Sequence, residues 1–174
     1  FIRANDGLAA IEMAFVFPFM LLLYLGLLDL TGLISHSRKV TSIASAVADL
    51  VAQNRIAVIK TDMNDYFKIA SLIMKPESDS EVRIRVHVYR KVSNTPTLIW
   101  TVENGKGPIC TGTVDTSDML PLMTADNDLI VTQTCATFKP YTGEFMGELL
   151  IGTLTPQVEQ TVTIRPRSSP SLTC

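Results

Sequence analysis

A long stretch near the start of the chain is almost wholly apolar. From Leu8 to Leu30 it reads LAAIEMAFVFPFMLLLYLGLLDL, with Glu12 and Asp29 as the only charged residues. Continued to Ile34, this stretch is long enough to cross a hydrocarbon core of roughly 30 Å as a helix that rises about 1.5 Å per residue. It is too long for the apolar region of a signal peptide, and no small-residue cleavage box follows it. The pattern predicts a transmembrane helix over residues 8–34 that remains in the mature protein.

The pattern changes after this stretch. Between Arg38 and Gln53 apolar residues recur at the three- and four-residue spacing of an amphipathic helix that continues the first one. A second helix is predicted over residues 62–74 and ends before Pro76. Alternation of apolar and polar residues predicts the clearest strand, and three more strands follow, over residues 81–92, 98–102, 129–138 and 158–164. Helices followed by strands predict an α+β fold in which the long N-terminal helix packs on an antiparallel sheet.

The chain is therefore expected to have three parts: a short leader-like cytoplasmic segment, the transmembrane helix and an exported α+β domain, over residues 1–7, 8–34 and 35–174. A count of flanking positive charges, Arg3 before the helix against Arg38 and Lys39 after it, would instead leave the C-terminal domain in the cytoplasm. Because the sequence starts at Phe1 rather than at Met, basic residues upstream would be missing from that count. The cysteines favour export, and we expect a periplasmic or extracellular domain.

Three cysteines, Cys110, Cys135 and Cys174, all lie downstream of the apolar stretch. In an oxidising compartment three cysteines are expected to form one disulfide and leave one free thiol, and the sequence allows three different pairings. We favour Cys110 with Cys135, because this bridge would tie a glycine-rich loop to a strand while Cys174 sits at a terminus.

Composition narrows the function classes. The 174 residues are 47% hydrophobic with a mean hydropathy of +0.26, and the net charge of −2 leaves no basic face for nucleic acid. No nucleophile motif of the G-x-S-x-G or S-x-x-K kind is present, so no enzyme is expected. There is no CxxC or HxxxH spacing, and His36 and His87 fall in different contexts, so neither a metal site nor a cofactor is expected.

Several polar residues are expected to be solvent-exposed rather than catalytic or ligand-binding. Arg83, Arg85 and His87 share the polar face of the first strand and are interpreted as solvated. The loop acids lack the D-x-D-x-D-G order of a calcium loop and are interpreted the same way; they are Asp115, Asp118, Asp126 and Asp128. Trp100 is expected in the core or at a subunit interface.

Two residues interrupt the apolar helix in an informative way. A carboxylate at Glu12 costs several kcal/mol in hydrocarbon, so it needs a partner or a functional reason, unless it lies at the headgroup boundary. Pro18 has no N–H to donate to the carbonyl of Ala14 and is expected to kink the helix. Asp29, near the other end, is interpreted as marking the far interface rather than a buried site.

The start of the helix has the spacing of a prepilin. Gly7-Leu8-Ala9-Ala10-Ile11-Glu12 places a glycine, four residues and a glutamate at the head of the apolar stretch, and Met13-Ala14-Phe15-Val16-Phe17-Pro18 follows. This resembles the TadE-like (TadE/TadG) family of pilin-like proteins from the tight-adherence (Tad, Flp-type) pilus systems, with a type IVb prepilin-like N-terminus. Residues 40–53 resemble the family's helix extension and residues 163–167 its final strand. The resemblance covers the N-terminal third well and the rest loosely.

The resemblance implies cleavage between Gly7 and Leu8 by a membrane aspartyl prepilin peptidase. It also implies that Glu12 neutralises the new N-terminal amine of an adjacent subunit during assembly. The residues agree with this role, because a buried carboxylate needs a cation and an α-amino group supplies one without adding a charged side chain.

The function implied is that of a minor pilin or pseudopilin in the bacterial inner membrane, a structural protein that helps to assemble or anchor a Tad-type pilus. Its partners would be other membrane or pilin subunits through the N-terminal helix, the prepilin peptidase and the lipid bilayer. The alternative is an accessory single-span subunit of a larger membrane complex, neither processed nor built into a filament.

Overall fold

The computed structural model describes residues 6–53, 60–75, 82–117, 119–123, 128–143 and 156–167. Side chains are described from Ala9 in the first helix and from Asn64 in the second. The elements follow in the order α1 (Asp6–Gln53), α2 (Lys60–Met74), β1 (Val82–Val92), β2 (Thr95–Gly105), β3 (Leu129–Thr137) and β4 (Gln157–Ile164), with one 3₁₀ turn at Leu120–Leu122. The predicted α+β class is confirmed.

The four strands form one antiparallel sheet in the order β2-β1-β3-β4. β1 and β2 are joined by a two-residue turn in which Ser93 and Asn94 have φ of 51° and 66°, the left-handed pair that a type I′ hairpin requires. β2 runs from Thr95 to Gly105 and is longer than predicted, because the turn-rich sequence at its end still pairs with β1.

Contacts divide the chain into two compact units. The first consists of Phe1–Ser35 and Lys139–Pro156, and the second of His36–Phe138 and Gln157–Cys174. The second unit holds the sheet, α2 and the C-terminal part of α1.

The core of the second unit lies between α1 and one face of the sheet. Seven helix residues at amphipathic spacing have no exposed surface: Val40, Ile43, Ala44, Val47, Ala48, Val51 and Ala52. Each of the larger ones contributes about 1.5–3 kcal/mol by its burial, and the alanines let the helix approach closely. From the sheet, Val82, Ile84, Val86 and Val88 of β1 are buried as the alternation predicts. The amphipathic part of α1 and the inner face of the sheet thus contribute most of the buried apolar residues of this core.

The end of α1 is fixed by the chain that leaves β4. The Arg167 backbone N–H donates to the Ala52 carbonyl at 3.0 Å, and the Arg167 guanidinium donates to the Asp49 carboxylate at 2.5 Å. The first contact satisfies one of the carbonyls that a helix C-terminus leaves without an intrahelical donor.

Gly105 supplies a prediction about this sheet. Its φ is +111°, and a Cβ here would lie 2.2 Å from the Val82 carbonyl oxygen and 2.8 Å from the Arg83 Cα. Because backbone strain and backbone overlap add, Gly105→Ala should destabilise the sheet unit by about 3 kcal/mol, measured by denaturant unfolding with Trp100 fluorescence.

Gly143→Ala is the control for the positive φ alone; because Gly143 lies in the first unit, calorimetric unfolding of the whole chain compares the two variants. Gly143 also has a positive φ, +84°, but nothing lies within 4 Å of a Cβ built there. Only the conformational cost remains, about 1 kcal/mol or less. Equal losses for the two variants would contradict the close approach at Gly105.

Candidate functional site

The first part of α1 exposes an apolar surface. From residue 9 to residue 24 every side chain is exposed, and Phe15, Met13 and Phe19 are 77%, 63% and 63% exposed. The helix is long and apolar enough to span a membrane, and its most apolar window is not buried at all by the rest of the protein. Such a surface is stable against lipid or against other apolar helices, and it is not stable in water.

Glu12 lies on this exposed part of the helix. Its neighbours Ile11 and Met13 are themselves more than half exposed. Within the described residues no hydrogen bond or ion pair reaches the Glu12 carboxylate. Its partner, if it lies in hydrocarbon, must therefore come from outside this part of the chain.

The other predicted residues of the segment lie in the same helix. α1 begins at Asp6, so Gly7 and Leu8 are helical, and residues 1–5 of the predicted leader lie outside the described residues. Pro18 lies inside α1, which continues through it to Gln53. The kink at Pro18 stays a prediction.

Asp29 is buried, and our expectation that it is not a buried site is wrong. Its side chain is 1% exposed, and one carboxylate oxygen accepts the backbone N–H groups of Tyr141 at 2.8 Å and Thr142 at 3.2 Å. The Thr142 hydroxyl donates to the other oxygen. The sequence around Asp29 holds no sign of this contact, because its donors lie 112 and 113 positions further along the chain.

A model of the TadE family, described as TadE-like protein, matches residues 7–49. The N-terminal helix is TadE-like. The match begins at the predicted cleavage-site glycine and ends four residues before the end of α1, so it covers Glu12, Pro18 and Asp29. No curated protein and no solved structure matches the chain. The match confirms the resemblance of the TadE-like helix and does not reach the sheet, whose role rests on its own geometry.

The face of the sheet that points away from the core is covered by the loop after β2. The Arg83 side chain donates to the Gly107 carbonyl at 2.8 Å, and the Gln133 amide donates to the Gly112 carbonyl at 3.0 Å. The Glu159 carboxylate accepts the backbone N–H groups of Gly112 at 2.9 Å and of its neighbour Thr111 at 3.2 Å. Side chains of β1, β3 and β4 thus hold the loop in place.

A disulfide fixes the same loop. Cys110 of the loop and Cys135 of β3 form this bridge, with their Cα atoms 5.5 Å apart. The Glu159 carboxylate lies within 4.8 Å of both sulfurs, in an arrangement of three metal-ligand side chains. Because the two sulfurs are bonded to each other, they are not the thiolates that bind metal. In the oxidised protein the disulfide and the Glu159 carboxylate hold the loop on the sheet.

The loop after β2 also covers the polar face of β1, and this changes the interpretation of the arginines on that face. Arg83 and Arg85 donate to the Glu103 carboxylate at 2.5 Å and 2.7 Å, and the two arginine side chains are only 24% and 21% exposed. The prediction of a freely solvated face is wrong for these residues, because the loop and Glu103 enclose them. The hydrogen bond from Arg83, with further help from Arg85, lowers the pKa of Glu103.

His87 lies in the same layer and is half-buried. Its ring contacts the Thr101 hydroxyl through Nδ1 and the Gln133 amide oxygen, 3.3 Å away, through Nε2. Burial lowers the pKa of His87, although the hydrogen bond to Gln133 acts in the opposite direction. A neutral histidine held by two polar neighbours is a structural group, not a solvated one.

These shifts predict loss of stability in acid. The folded-state pKa of His87 lies below its ordinary value of 6.5, so its contribution is complete above pH 6.5 and declines as the pH falls below it. The depressed pKa of Glu103 gives a second contribution that is lost below about pH 4.5. The free energy of unfolding, measured across this pH range, should show both losses. His87→Gln should remove the loss below pH 6.5, and Glu103→Gln should remove the loss below about pH 4.5. If both variants keep the wild-type pH dependence, His87 and Glu103 are not the groups responsible.

Two of the loop acids, Asp128 and Asp115, have structural partners. Asp128 has no exposed side-chain surface and accepts two hydrogen bonds from Arg90, at 2.7 Å and 3.0 Å. The prediction that it is solvated is wrong, because its partner lies 38 positions away on β1. Asp115 accepts from the Ser117 backbone and hydroxyl in a local turn. Asp118 and Asp126 lie outside the described residues. Trp100 is partly buried on β2, and in the described part of the chain its indole N–H has no acceptor.

Proposed function

We propose that the protein is a minor-pilin-like subunit of a Tad-type pilus system. The TadE-like helix would anchor it in the bacterial inner membrane, N-terminus in the cytoplasm, and pack against other pilus subunits. The exported domain would be presented on the far side. The observation that carries the proposal is Glu12, a carboxylate on an exposed apolar helix surface with no partner in the described residues. The family match supports association with a Tad pilus system, and this carboxylate supports the role of a subunit.

A cation from a neighbouring subunit would satisfy Glu12. Cleavage between Gly7 and Leu8 would create an α-amino group at the start of the helix. In a parallel bundle of identical or related helices, that amine can approach Glu12 of the adjacent chain, about one helical turn away from the new terminus. Pairing in a dry apolar environment stabilises both charges and fixes the axial offset between helices.

The disulfide that links the loop to the sheet supports an exported location for this domain. The bridge between Cys110 and Cys135 persists in an oxidising compartment and is rare in the cytoplasm. The sheet's polar layer is occupied by structural ion pairs and by the loop. A structural role for the exported domain fits these contacts better than a catalytic one.

The N-terminus of the protein isolated from its native membrane tests the maturation step. Intact-mass measurement should give a chain that begins at Leu8. A chain that retains residues up to Gly7 would remove the cleavage step and with it the α-amino partner proposed for Glu12.

One observation favours an accessory, unprocessed subunit of a larger membrane complex. α1 begins at Asp6, so the Gly7–Leu8 bond lies inside a helical segment, and a peptidase would have to unwind that turn first. Mechanical shearing of cells separates the two roles. Recovery of the protein with Tad pilus components in the sheared filaments or in the membrane assembly supports the proposal. Co-purification with a stable complex free of pilus components would support the accessory role instead.

A further inference from the structure

A turn far along the chain is tied to the TadE-like helix. Pro140–Gly143 closes as a turn, with the Gly143 N–H donating to the Pro140 carbonyl at 3.3 Å. Its Tyr141 and Thr142 backbone N–H groups both point at the Asp29 carboxylate. These two N–H groups and the Thr142 hydroxyl explain how a carboxylate with 1% exposure persists in an apolar helix, and they hold the turn against that helix.

The surface around this turn is apolar and exposed. Tyr141 is 74% exposed, and its side chain shares a cavity of about 290 Å³ with helix residues Leu28, Thr31, Gly32 and Ser35. Helix residues on the same turns keep roughly half of their surface exposed or more: Leu27, Leu30 and Ile34. A tyrosine at the end of an exposed apolar belt occupies the position that aromatic residues take at a membrane–water boundary.

The position of Asp29 along the helix agrees with such a membrane–water boundary. Asp29 comes 17 residues after Glu12, a rise of about 25 Å, close to the roughly 30 Å thickness of a hydrocarbon core. If Glu12 lies near one boundary, Asp29 and Tyr141 lie near the other. The polar residues that follow on the helix, from Ser35 to Lys39, mark the change from lipid to water.

We propose that the turn Pro140–Gly143 is a second membrane contact of this protein, held on the helix by Asp29 so that Tyr141 enters the interfacial layer of a phospholipid bilayer. The inference rests on the proposed insertion of the TadE-like helix. The bilayer, rather than another protein, is the occupant that we assign to this turn, because Tyr141 lies at the end of the exposed apolar surface of a helix that is long and apolar enough to span a membrane.

Lipid-resident quenchers test the proposal on the full chain. Trp100→Phe removes the native tryptophan, and Tyr141→Trp then places one probe in the turn. The protein is reconstituted into phosphatidylethanolamine–phosphatidylglycerol vesicles that contain a phosphatidylcholine brominated either near the headgroup or near the chain end. Shallow bromines should quench the probe more strongly than deep ones, and aqueous iodide should quench it less than a reference probe at Leu122→Trp, in the sheet unit.

The variants separate this inference from the insertion of the helix. A probe at Phe19→Trp should be quenched by deep bromines; if it is not, insertion itself fails. If the Phe19→Trp probe is quenched but the Tyr141→Trp probe responds only to iodide, the second membrane contact is overturned while the insertion stands. A Tyr141→Trp probe shielded from both quenchers would mean that protein covers the turn, which also overturns the proposal.

The role of Asp29 has its own comparison. Asp29→Ala should release the turn and at least halve the quenching of the Tyr141→Trp probe by shallow bromines. Glu12→Ala removes the other carboxylate of the same helix and should leave that quenching unchanged. Equal quenching with and without Asp29 would show that this carboxylate does not hold the turn at the bilayer.

Discussion

Glu12→Ala should leave the protein in the membrane and abolish its recovery with Tad pilus subunits. Removal of the carboxylate makes the helix more apolar, so insertion is not impaired. In the assembly, however, the α-amino group of the adjacent chain loses its counter-charge in a dry environment. Breaking a buried pair by removing one partner costs about 3 kcal/mol, which corresponds to a loss of association of about 100-fold. Quantitative immunoblots of the membrane and sheared-filament fractions measure both quantities.

Two conservative variants show whether charge is the cause. Glu12→Gln keeps the size of the side chain and removes the charge, so it should fail as Glu12→Ala does. Glu12→Asp keeps the charge on a shorter side chain and should retain part of the assembly. Wild-type recovery of Glu12→Gln would mean that Glu12 acts through a hydrogen bond or through position at the headgroup boundary, not through an ion pair.

Removal of the disulfide should have the second large effect, on stability rather than assembly. Cys110 and Cys135 are 25 positions apart, and a bridge across such a loop stabilises the fold by about 3 kcal/mol. The double variant Cys110→Ser with Cys135→Ser should therefore lower the midpoint of thermal unfolding by roughly 10 °C. Trp100 fluorescence of the detergent-solubilised chain reports the transition in the sheet unit.

The third cysteine gives the control for that measurement. Cys174 is not part of the bridge, and Cys174→Ser should leave the midpoint unchanged. Addition of a reductant to the wild-type protein should reproduce the double variant. If the double variant unfolds at the wild-type temperature, the hydrogen bonds of Arg83, Gln133 and Glu159 hold the loop without help from the disulfide.

Local pattern was sufficient for most of the fold. The apolar run and the amphipathic spacing after Arg38 predicted α1 except for its first two residues, and alternation predicted β1 to within one residue at its start. The α+β class and the antiparallel pairing followed from the order of these elements. The length of β2 could not be predicted, because Glu103–Gly105 reads as a turn and is held in the strand only by its pairing with β1.

Sequence reasoning reaches candidate site residues only where the signal is local, and the roles of Gly7 and Glu12 stay predictions. Glu12 and Gly7 stand in a six-residue pattern that can be read directly, and the TadE match covers the same residues. The burial of Asp29 and Asp128 could not be predicted, because their hydrogen-bond partners lie 112 and 38 positions away. The residues near either aspartate give no sign of these partners. The same holds for Arg85, which the loop covers from 25 positions further along the chain.

The most direct test of the central claim, that the TadE-like helix packs against other pilus subunits, is photocrosslinking in the native membrane. Phe15 is 77% exposed and lies one helical turn from Glu12. A photoreactive phenylalanine analogue at Phe15 should crosslink to a Tad pilus subunit, and Glu12→Ala should abolish that product. A probe that crosslinks to lipid alone, or to a membrane complex without pilus components, would contradict the claim.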